Sequence, residues 1–309
     1  MASFKKRHSE IWAVGGGKGG VGKSFILSSV GSHLALQGKQ VVLLDADLGG
    51  ANLHTFLGMN KPAISLTDFF DDKLPLSELI VDSGVDNMGL LTGAIRSLAP
   101  NGIKHTQKLK LFRHIEELET EYVLIDLGGG IHFNTLDTFL LADKMIMVVV
   151  PEIIAIENMY HFLKNVFYRK LTNTLSAYGL KDIVRKAWQN RSELNITSLK
   201  ELVDHLKGLS KRVEDIINME LSNFTVYIVL NQIRNHQEII IGNYVTSVCM
   251  KYFDLKAEYA GYIEYDSFVS RCINERQLYM KANSSSSCAK EIKRLTRNLL
   301  EGKHIRIGN

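Results

Sequence analysis

Apolar residues in this chain come in short unbroken runs. Residues 11–14, 41–44, 122–125, 145–150 and 226–230 are each apolar throughout. A strand with one wet face alternates apolar and polar positions, so a run without alternation reads as a strand buried on both faces. Shorter stretches at 88–92 and 259–263 read as two further strands. Between the runs the period lengthens. Residues 22–37 carry a helical pattern that stops at Gly38, a residue suited to the left-handed position after a helix. Residues 104–119 predict an amphipathic helix with Leu109, Phe112, Ile115 and Leu118 on one face and solvated lysines on the other. Residues 239–252 and 288–300 predict two more, the last preceded by the serine run 284–287. Residues 64–87, with Pro75 and Asp-rich turns, read as surface helix and loop. Runs alternating with helices, and acids or glycines where the runs end, predict an α/β fold with a mainly parallel, doubly wound sheet.

Residues 170–222 hold a longer helical pattern. Ser198 and Glu201 are spaced as a capping box. Apolar residues then recur at three- and four-residue steps from Leu199 through Leu206, Leu209 and Val213 to Leu221. As one helix this would be roughly 36 Å long at about 1.5 Å per residue. Its other face is charged, from Lys200 and Glu201 to Glu214 and Asp215. Two readings stand side by side: a helical insertion packed on its own domain, or an arm that binds a partner or extends a dimer.

The first apolar run ends in a glycine cluster. Gly17, Gly22, Lys23 and Ser24 satisfy G-x-x-x-x-G-K-[ST], with a strand pattern before and a helix pattern after. Glycines let successive backbone N–H groups turn inward, and the helix N-terminus adds roughly half a positive charge. The loop therefore captures phosphate through the backbone of Gly17, Gly19, Gly20, Val21, Gly22 and Phe25. Lys23 would reach the β- and γ-phosphates, and the Ser24 hydroxyl would ligate Mg²⁺. Two later runs end in acids: Asp45 and Asp47 follow the second, and Asp126 follows 122–125 and precedes Gly128 and Gly129. In a parallel sheet these ends lie together, where α/β sites form.

Lys18 adds a second lysine to the loop, giving Lys-Gly-Gly-Val-Gly-Lys-Ser over residues 18–24. This resembles the deviant Walker A ATPases: MinD, ParA and the flagellar regulators FlhG/FleN, with iron-protein and arsenical-pump relatives further off. Asp45 and Asp47, followed by Leu48, Gly49, Gly50, Ala51, Asn52 and Leu53, resemble that family's switch I. Asp126 to Ile131 resembles its Walker B and switch II. Pro151, Glu152 and Ile156 resemble a Pro-Glu-x-x-x-Ile segment of MinD and FlhG, the closest subgroup. The resemblance covers residues 10–168 and 224–300, so residues 170–222 have no counterpart and read as an insertion in a single domain spanning 1–309. It implies that Lys18 reaches a partner subunit's phosphates and that Asp47 orients the attacking water. Ser24, Asp47 and Asp126 would surround the metal, and Gly128 or Gly129 would sense the γ-phosphate. Asp45 would either help position the metal's water shell or cap the next helix. Asn231 matches the base-recognition asparagine; its amide offers a donor and an acceptor to the adenine edge. Two departures stand out. Phe25 occupies the place of a small hydroxyl residue that touches the α-phosphate. Glu264 occupies the place of Pro in a Gly-x-Ile-Pro-x-Asp-x-x-Val segment that closes the adenine pocket.

Composition changes this picture little. A chain of 309 residues with 45% hydrophobic and 23% charged content is expected to form a globular core, and a net charge of +4 is too mild to indicate nucleic acid. Cys249, Cys272 and Cys288 form no C-x-x-C, which argues against a zinc site, a disulfide framework and an iron–sulfur cluster. Lys5, Lys6 and Arg7 are followed by no signal-peptide core, and no run is long enough to span a membrane, so a cytoplasmic protein is expected. The last helix has a basic face of Lys290, Lys293, Arg294 and Arg297. That face would suit a membrane surface or DNA, while the family places its last packing helix here. Residues 301–309 are too few and too polar for a separate membrane-targeting helix. The expected function is an ATP-dependent homodimeric switch with slow hydrolysis, partnered by a regulatory protein. The alternative is a nucleotide-dependent scaffold or ParA-like DNA-associated regulator with negligible turnover.

Overall fold

The computed structural model describes residues 9–47, 50–71, 74–93, 105–222 and 224–305. The readings that involve Lys5, Lys6, Arg7, Leu48, Gly49 and Lys104 lie outside the described residues. In chain order the first half holds β1 (Glu10–Gly15), α1 (Lys23–Leu36), β2 (Val41–Asp45), α2 (Leu53–Phe56), α3 (Leu66–Phe70), β3 (Val81–Val85), β4 (Met88–Leu91), α4 (His105–Glu116), β5 (Tyr122–Asp126), α5 (Phe133–Leu141) and β6 (Lys144–Val149). The second half holds α6 (Ile153–Ala177), α7 (Lys181–Gln189), α8 (Leu199–Leu209), α9 (Lys211–Leu221), β7 (Thr225–Ile233), α10 (Ile241–Phe253), β8 (Lys256–Glu264), α11 (Phe268–Asn274), α12 (Tyr279–Ala282) and α13 (Ser287–Glu301).

The strands form one sheet in the order β3-β4-β2-β5-β1-β6-β7-β8. Every neighbouring pair is parallel except β3 with β4. The unbroken runs are buried as their pattern predicts: Ile11, Trp12 and Ala13 in the central strand are fully buried, as are Val123, Ile125 and Val149. Fully burying one such side chain stabilises the fold by about 1.5–3 kcal/mol. Helices α1 and α13 pack together, with α13 also against β8, while α5, α6 and α10 pack on β1, β6 and β7. The amphipathic α13 is therefore a packing helix: Ile292, Leu295 and Leu299 are buried, and Ser286 caps its start by accepting from the Ala289 N–H at 3.0 Å.

Three expectations are corrected. Residues 64–87 are more than helix and loop, because they contain β3, the antiparallel edge strand. Its exposed Asp82 and Gly84 alternate with buried Ser83 and Val85, so it shows no apolar run. In α4 the inward face is Leu111, Ile115 and Leu118, while Leu109 is 53% exposed. Nor are all its lysines solvated. Lys108 is buried and pairs with Asp137 of α5, which also accepts from Arg169 of α6 at 2.8 and 3.0 Å. A carboxylate waiting in the interior compensates the ammonium for its lost water. Finally, the helical pattern of 198–221 is two helices. Ser210 has extended backbone, ends α8 and caps α9 through the Val213 N–H. The apolar period survives the break because Leu206 and Val213 enter the same core. The capping box is present, with Ser198 and Glu201 bonding each other's backbone N–H groups.

Candidate nucleotide-binding site

The site lies where β1, β2, β5 and β7 end. The glycine loop leaves β1 and turns into α1, and left-handed backbone at Gly20 (φ +81°) and Gly22 (φ +92°) makes the turn. Gly17 faces α6 so closely that a Cβ would overlap the Asn158 carbonyl, whereas Gly19 and Gly20 face open space. Val21 and Lys23 are buried and Lys18 is exposed. The Lys18 ammonium is held loosely, 4.0 Å from Glu152.

Strand register brings the acids under this loop. Asp45 and Asp126 are directly paired across β2 and β5. The Ser24 hydroxyl donates to Asp126 Oδ2 at 2.5 Å, while the buried Oδ1 has no partner. Burial pushes the Asp126 carboxyl up to about 7, with the Asp45 and Asp47 charges adding to the rise and the Ser24 hydroxyl and Lys23 opposing it. Burial likewise raises Asp45 to about 6, against hydrogen bonds that hold it down. Asp45 accepts from the Asp47 N–H at 3.1 Å and the Leu53 N–H at 2.9 Å, which ties it to the start of α2. Asp47 accepts from Gly50 N–H at 3.0 Å and lies against Gly128. A Cβ on Gly129 would stand 3.6 Å from the Gly19 nitrogen, so the segment after β5 touches the glycine loop.

A pocket of about 320 Å³ opens beside the loop, lined by Gly22, Lys23, Ser24, Phe25, Asn231 and Gln232 and closed by residues of 264–273. Asn231 is buried and donates its side-chain N–H to the Val21 carbonyl at 2.8 Å. Its Oδ1 and one amide hydrogen remain for a ligand. Phe25 stacks edge-on against Tyr279, with ring centroids 5.2 Å apart.

An oxygen-only pair with one orphaned, buried carboxylate oxygen fits Mg²⁺, which binds through few protein ligands and keeps several waters. Among the described residues no cluster of three or more His, Cys, Asp or Glu is gathered for a metal. The three cysteines are separately buried.

A family model described as ParA, NUBPL iron-transfer P-loop NTPase, matches residues 7–172, more than half of the chain. The chain belongs to the ParA family of P-loop NTPases. Over 151 residues, 48% of this chain and 56% of the relative, it is 30% identical to the septum site-determining protein MinD of Bacillus subtilis. Over 157 residues, 50% of this chain and 55% of the relative, it is 29% identical to the antiactivator FleN of Pseudomonas aeruginosa. It thus spans little more than half the length of these curated relatives. MinD of Pyrococcus horikoshii complexed with Mg-ADP overlaps 97% of this chain and 100% of its own, with a TM-score of 0.63 at 18% identity. A chain of the MinC:MinD cell division complex of Aquifex aeolicus overlaps 97% and 99%, with a TM-score of 0.61 at 20% identity. At these identities the likeness is one of fold: a mostly parallel eight-stranded sheet with flanking helices.

Within this ParA-family site some residues were invisible to sequence patterns. Gln232 follows Asn231 with left-handed backbone (φ +59°), which is uncommon away from glycine, and donates to the Gly20 carbonyl at 3.2 Å. Phe56 of α2 and Ile273 of α11 reach the pocket from short helices with no motif of their own. Only its position beside Asn231 at a strand end could have flagged Gln232.

Proposed function

We propose that this ParA-family chain is a MinD- and FleN-like ATPase. It is read as a single domain with residues 170–222 as a helical insertion. It binds Mg·ATP, dimerises around it and hydrolyses it slowly as a spatial or regulatory switch, as in cell division, flagellar placement or cargo positioning. One observation carries the reading: the Ser24 hydroxyl on Asp126 Oδ2 at 2.5 Å, with Oδ1 buried and unpaired at the foot of the phosphate loop. Bound Mg²⁺ supplies charge neutralisation at the phosphates. Ser24 and Asp126 hold it, with Asp47 beside them. The backbone amides of Gly17 to Ser24 and of Phe25 cradle the phosphates, and Lys23 neutralises them in cis. Asp47 exchanges its Gly50 contact for the attacking water. Gly128 and Gly129 answer to the γ-phosphate, and Asn231 reads the base.

A homodimer is supported by what surrounds Lys18. Ile153 and Ile154, next to its partner Glu152, are 77% and 62% exposed, and Ile131 beyond Gly130 is 53% exposed. A second copy would cover these side chains and receive Lys18 at its own phosphates. The test is ATP turnover in wild type, Lys18→Ala and Asp47→Ala. Equal background rates in all three would sink the enzyme reading. Light scattering with ATP and with ADP tests the switch, and a monomer with both nucleotides would count against it.

A second reading, a DNA-associated regulator, is favoured by one feature. A groove of about 340 Å³ between α1 and α13 is lined by His33, Lys290, Lys293, Arg294 and Arg297. Co-sedimentation with duplex DNA and with liposomes separates these cases. Among the described residues no helix is long and apolar enough to cross a membrane. A regulatory protein partner remains part of the proposal, with the exposed faces of α7, α8 and α9 as its surface.

A further inference from the structure

The wall of the pocket opposite Asn231 ends in a residue the family pattern does not lead one to expect. Glu264 is the last residue of β8 and pairs with Ile233 of β7, so it emerges at the same sheet end as Asn231 and Gln232. Proline at this position would have no N–H to satisfy. Glutamate has one, and a buried unpaired N–H is costly. It donates to Glu291 Oε2 at 2.7 Å, across from α13. Glu291 is only 7% exposed, on a helix where Lys290, Arg297 and Glu301 are exposed and Lys293 and Arg294 are half-buried. A carboxylate sequestered from water to hold one backbone N–H fixes where β8 stops and where the Glu264 side chain begins.

Glu264 lines the 320 Å³ pocket and the adjoining groove beside Ile233 to His236, and among the described residues its carboxylate has no hydrogen bond or ion pair. The other acid of this wall is fully used. Asp266 Oδ1 accepts from the Phe268 N–H at 2.8 Å, and Oδ2 accepts from the Tyr279 hydroxyl at 2.5 Å and from Asn283 at 3.3 Å. Asn231 has given one amide hydrogen to the Val21 carbonyl. Lys23, Gln232 and Ser270 bring donors to the rest of the lining, whereas at the end of β7 and β8 the groups still without partners among the described residues are the two Glu264 oxygens, Asn231 Oδ1 and one Asn231 hydrogen. At that end of the pocket an unpaired carboxylate favours a ligand edge that donates.

We propose that Glu264 is a specificity-determining residue that accepts a hydrogen bond from the exocyclic amino group of a purine nucleotide, with Glu291 as its positioning residue. The inference rests on the nucleotide reading of this site and adds the group that discriminates. A carboxylate that accepts from a neutral amino group makes a charge-assisted bond, and losing such a bond costs about tenfold or more in affinity.

The experiment is calorimetric titration of the full chain, with Mg²⁺, against ATP, GTP and purine riboside 5′-triphosphate, which lacks the amino group. Wild type is expected to bind ATP or GTP at least about tenfold more tightly than purine riboside triphosphate. The better of the two identifies which amino group is read. E264P is expected to reduce the preference to below about twofold. E291Q, whose amide oxygen still accepts from the Glu264 N–H, is expected to keep it. E291L is expected to lose it, with the KM for ATP rising more than kcat falls. The double variant E264P/E291L is expected to discriminate no less than E264P, because proline leaves no N–H to orphan. A thermal melt for each variant checks folding. Nucleotide binding with equal discrimination in wild type and E264P overturns this inference alone. Failure of wild type to bind any of the three overturns the nucleotide reading, and this inference with it.

Discussion

Asp126→Asn removes one charge and almost no volume, so its effect can be worked out from the site. The wild-type carboxyl moves from an ordinary 3.8 to about 7, because it is buried with Asp45 beside it. That displacement corresponds to about 4 kcal/mol at about 1.4 kcal/mol per pH unit. Its folded value lies above its unfolded value, so the native state holds the proton more tightly. The penalty is absent below pH 3.8, grows as pH rises, and is complete above about pH 7. For the metal-free protein, Asn should therefore be stabilising by about 4 kcal/mol at pH 8 and by less than about half of that at pH 5. With 309 residues at about 2.1 cal/mol/K each, the unfolding entropy is about 0.65 kcal/mol/K. The gain is then about 6 °C in Tm at pH 8 and less than about half of that at pH 5. Thermal melts of wild type and variant in EDTA across this pH range measure it. On the proposed reading, adding Mg·ADP should reverse the order, because the Asp126 carboxylate that destabilises the empty site would hold the cation. A variant less stable than wild type at pH 8, or a gap that ignores pH, would refute the account of Asp126 as a strained, cation-seeking carboxylate.

Other outcomes are expected from single contacts. Lys18→Ala should lower ATP turnover about a hundredfold and leave nucleotide affinity nearly unchanged, since this lysine is exposed and its one ion pair among the described residues is the loose one to Glu152. Turnover assays beside equilibrium binding separate the two quantities, and a parallel loss in both would argue against a role across the dimer. Gly17→Ala puts a methyl onto the Asn158 carbonyl of α6, and backbone there cannot give way as a side chain can. It should cost about 1–3 kcal/mol in a urea titration and remove ATP binding. Asp137→Ala leaves buried Lys108 without its carboxylate and should cost about 3 kcal/mol, measured by the urea midpoint. A change below about 0.5 kcal/mol would mean that Lys108 escapes to water.

How far the sequence could be read follows from what each residue signals locally. The central strands were legible because β1, β2, β5 and β6 are buried on both faces and can hold only apolar residues. The motif acids were legible for a related reason: a parallel sheet delivers the ends of β2 and β5 to one edge. The edge strand β3 was not, since one of its faces meets water and Asp82 and Gly84 interrupt the run. The face of α4 was misjudged by two residues because Lys108 counted as polar and outward. Its inward turn depends on Asp137, which lies twenty-nine positions away on another helix. The break at Ser210 was hidden by its own success: as a cap it preserves the apolar spacing on both sides. Long-range partners carry no local period, and this is where pattern reading ended.

The two departures from the family pattern have a common answer. Phe25, which cannot offer the phosphate a hydroxyl, packs edge-on against Tyr279. Tyr279 is held in turn by Asp266 at 2.5 Å and Ser286 at 2.9 Å. Glu264, which brings an N–H where proline has none, is met by Glu291. Tyr279, Ser286 and Glu291 all come from α12, α13 and the turn between them. An unmatched Phe25 would leave a loose ring at the mouth of the phosphate loop, and an unmatched Glu264 would leave an orphaned donor in the pocket wall. Both positions are instead rigidly supported by the same late segment of the chain. The differences in this pocket are therefore built into the fold, and altered base recognition should trace to residues 264–291. Helices α7, α8 and α9, which pack on α6 and α10, make none of these contacts. Replacing the exposed charges of these three helices should leave nucleotide selectivity intact and, on the proposed reading, weaken capture of a regulatory partner.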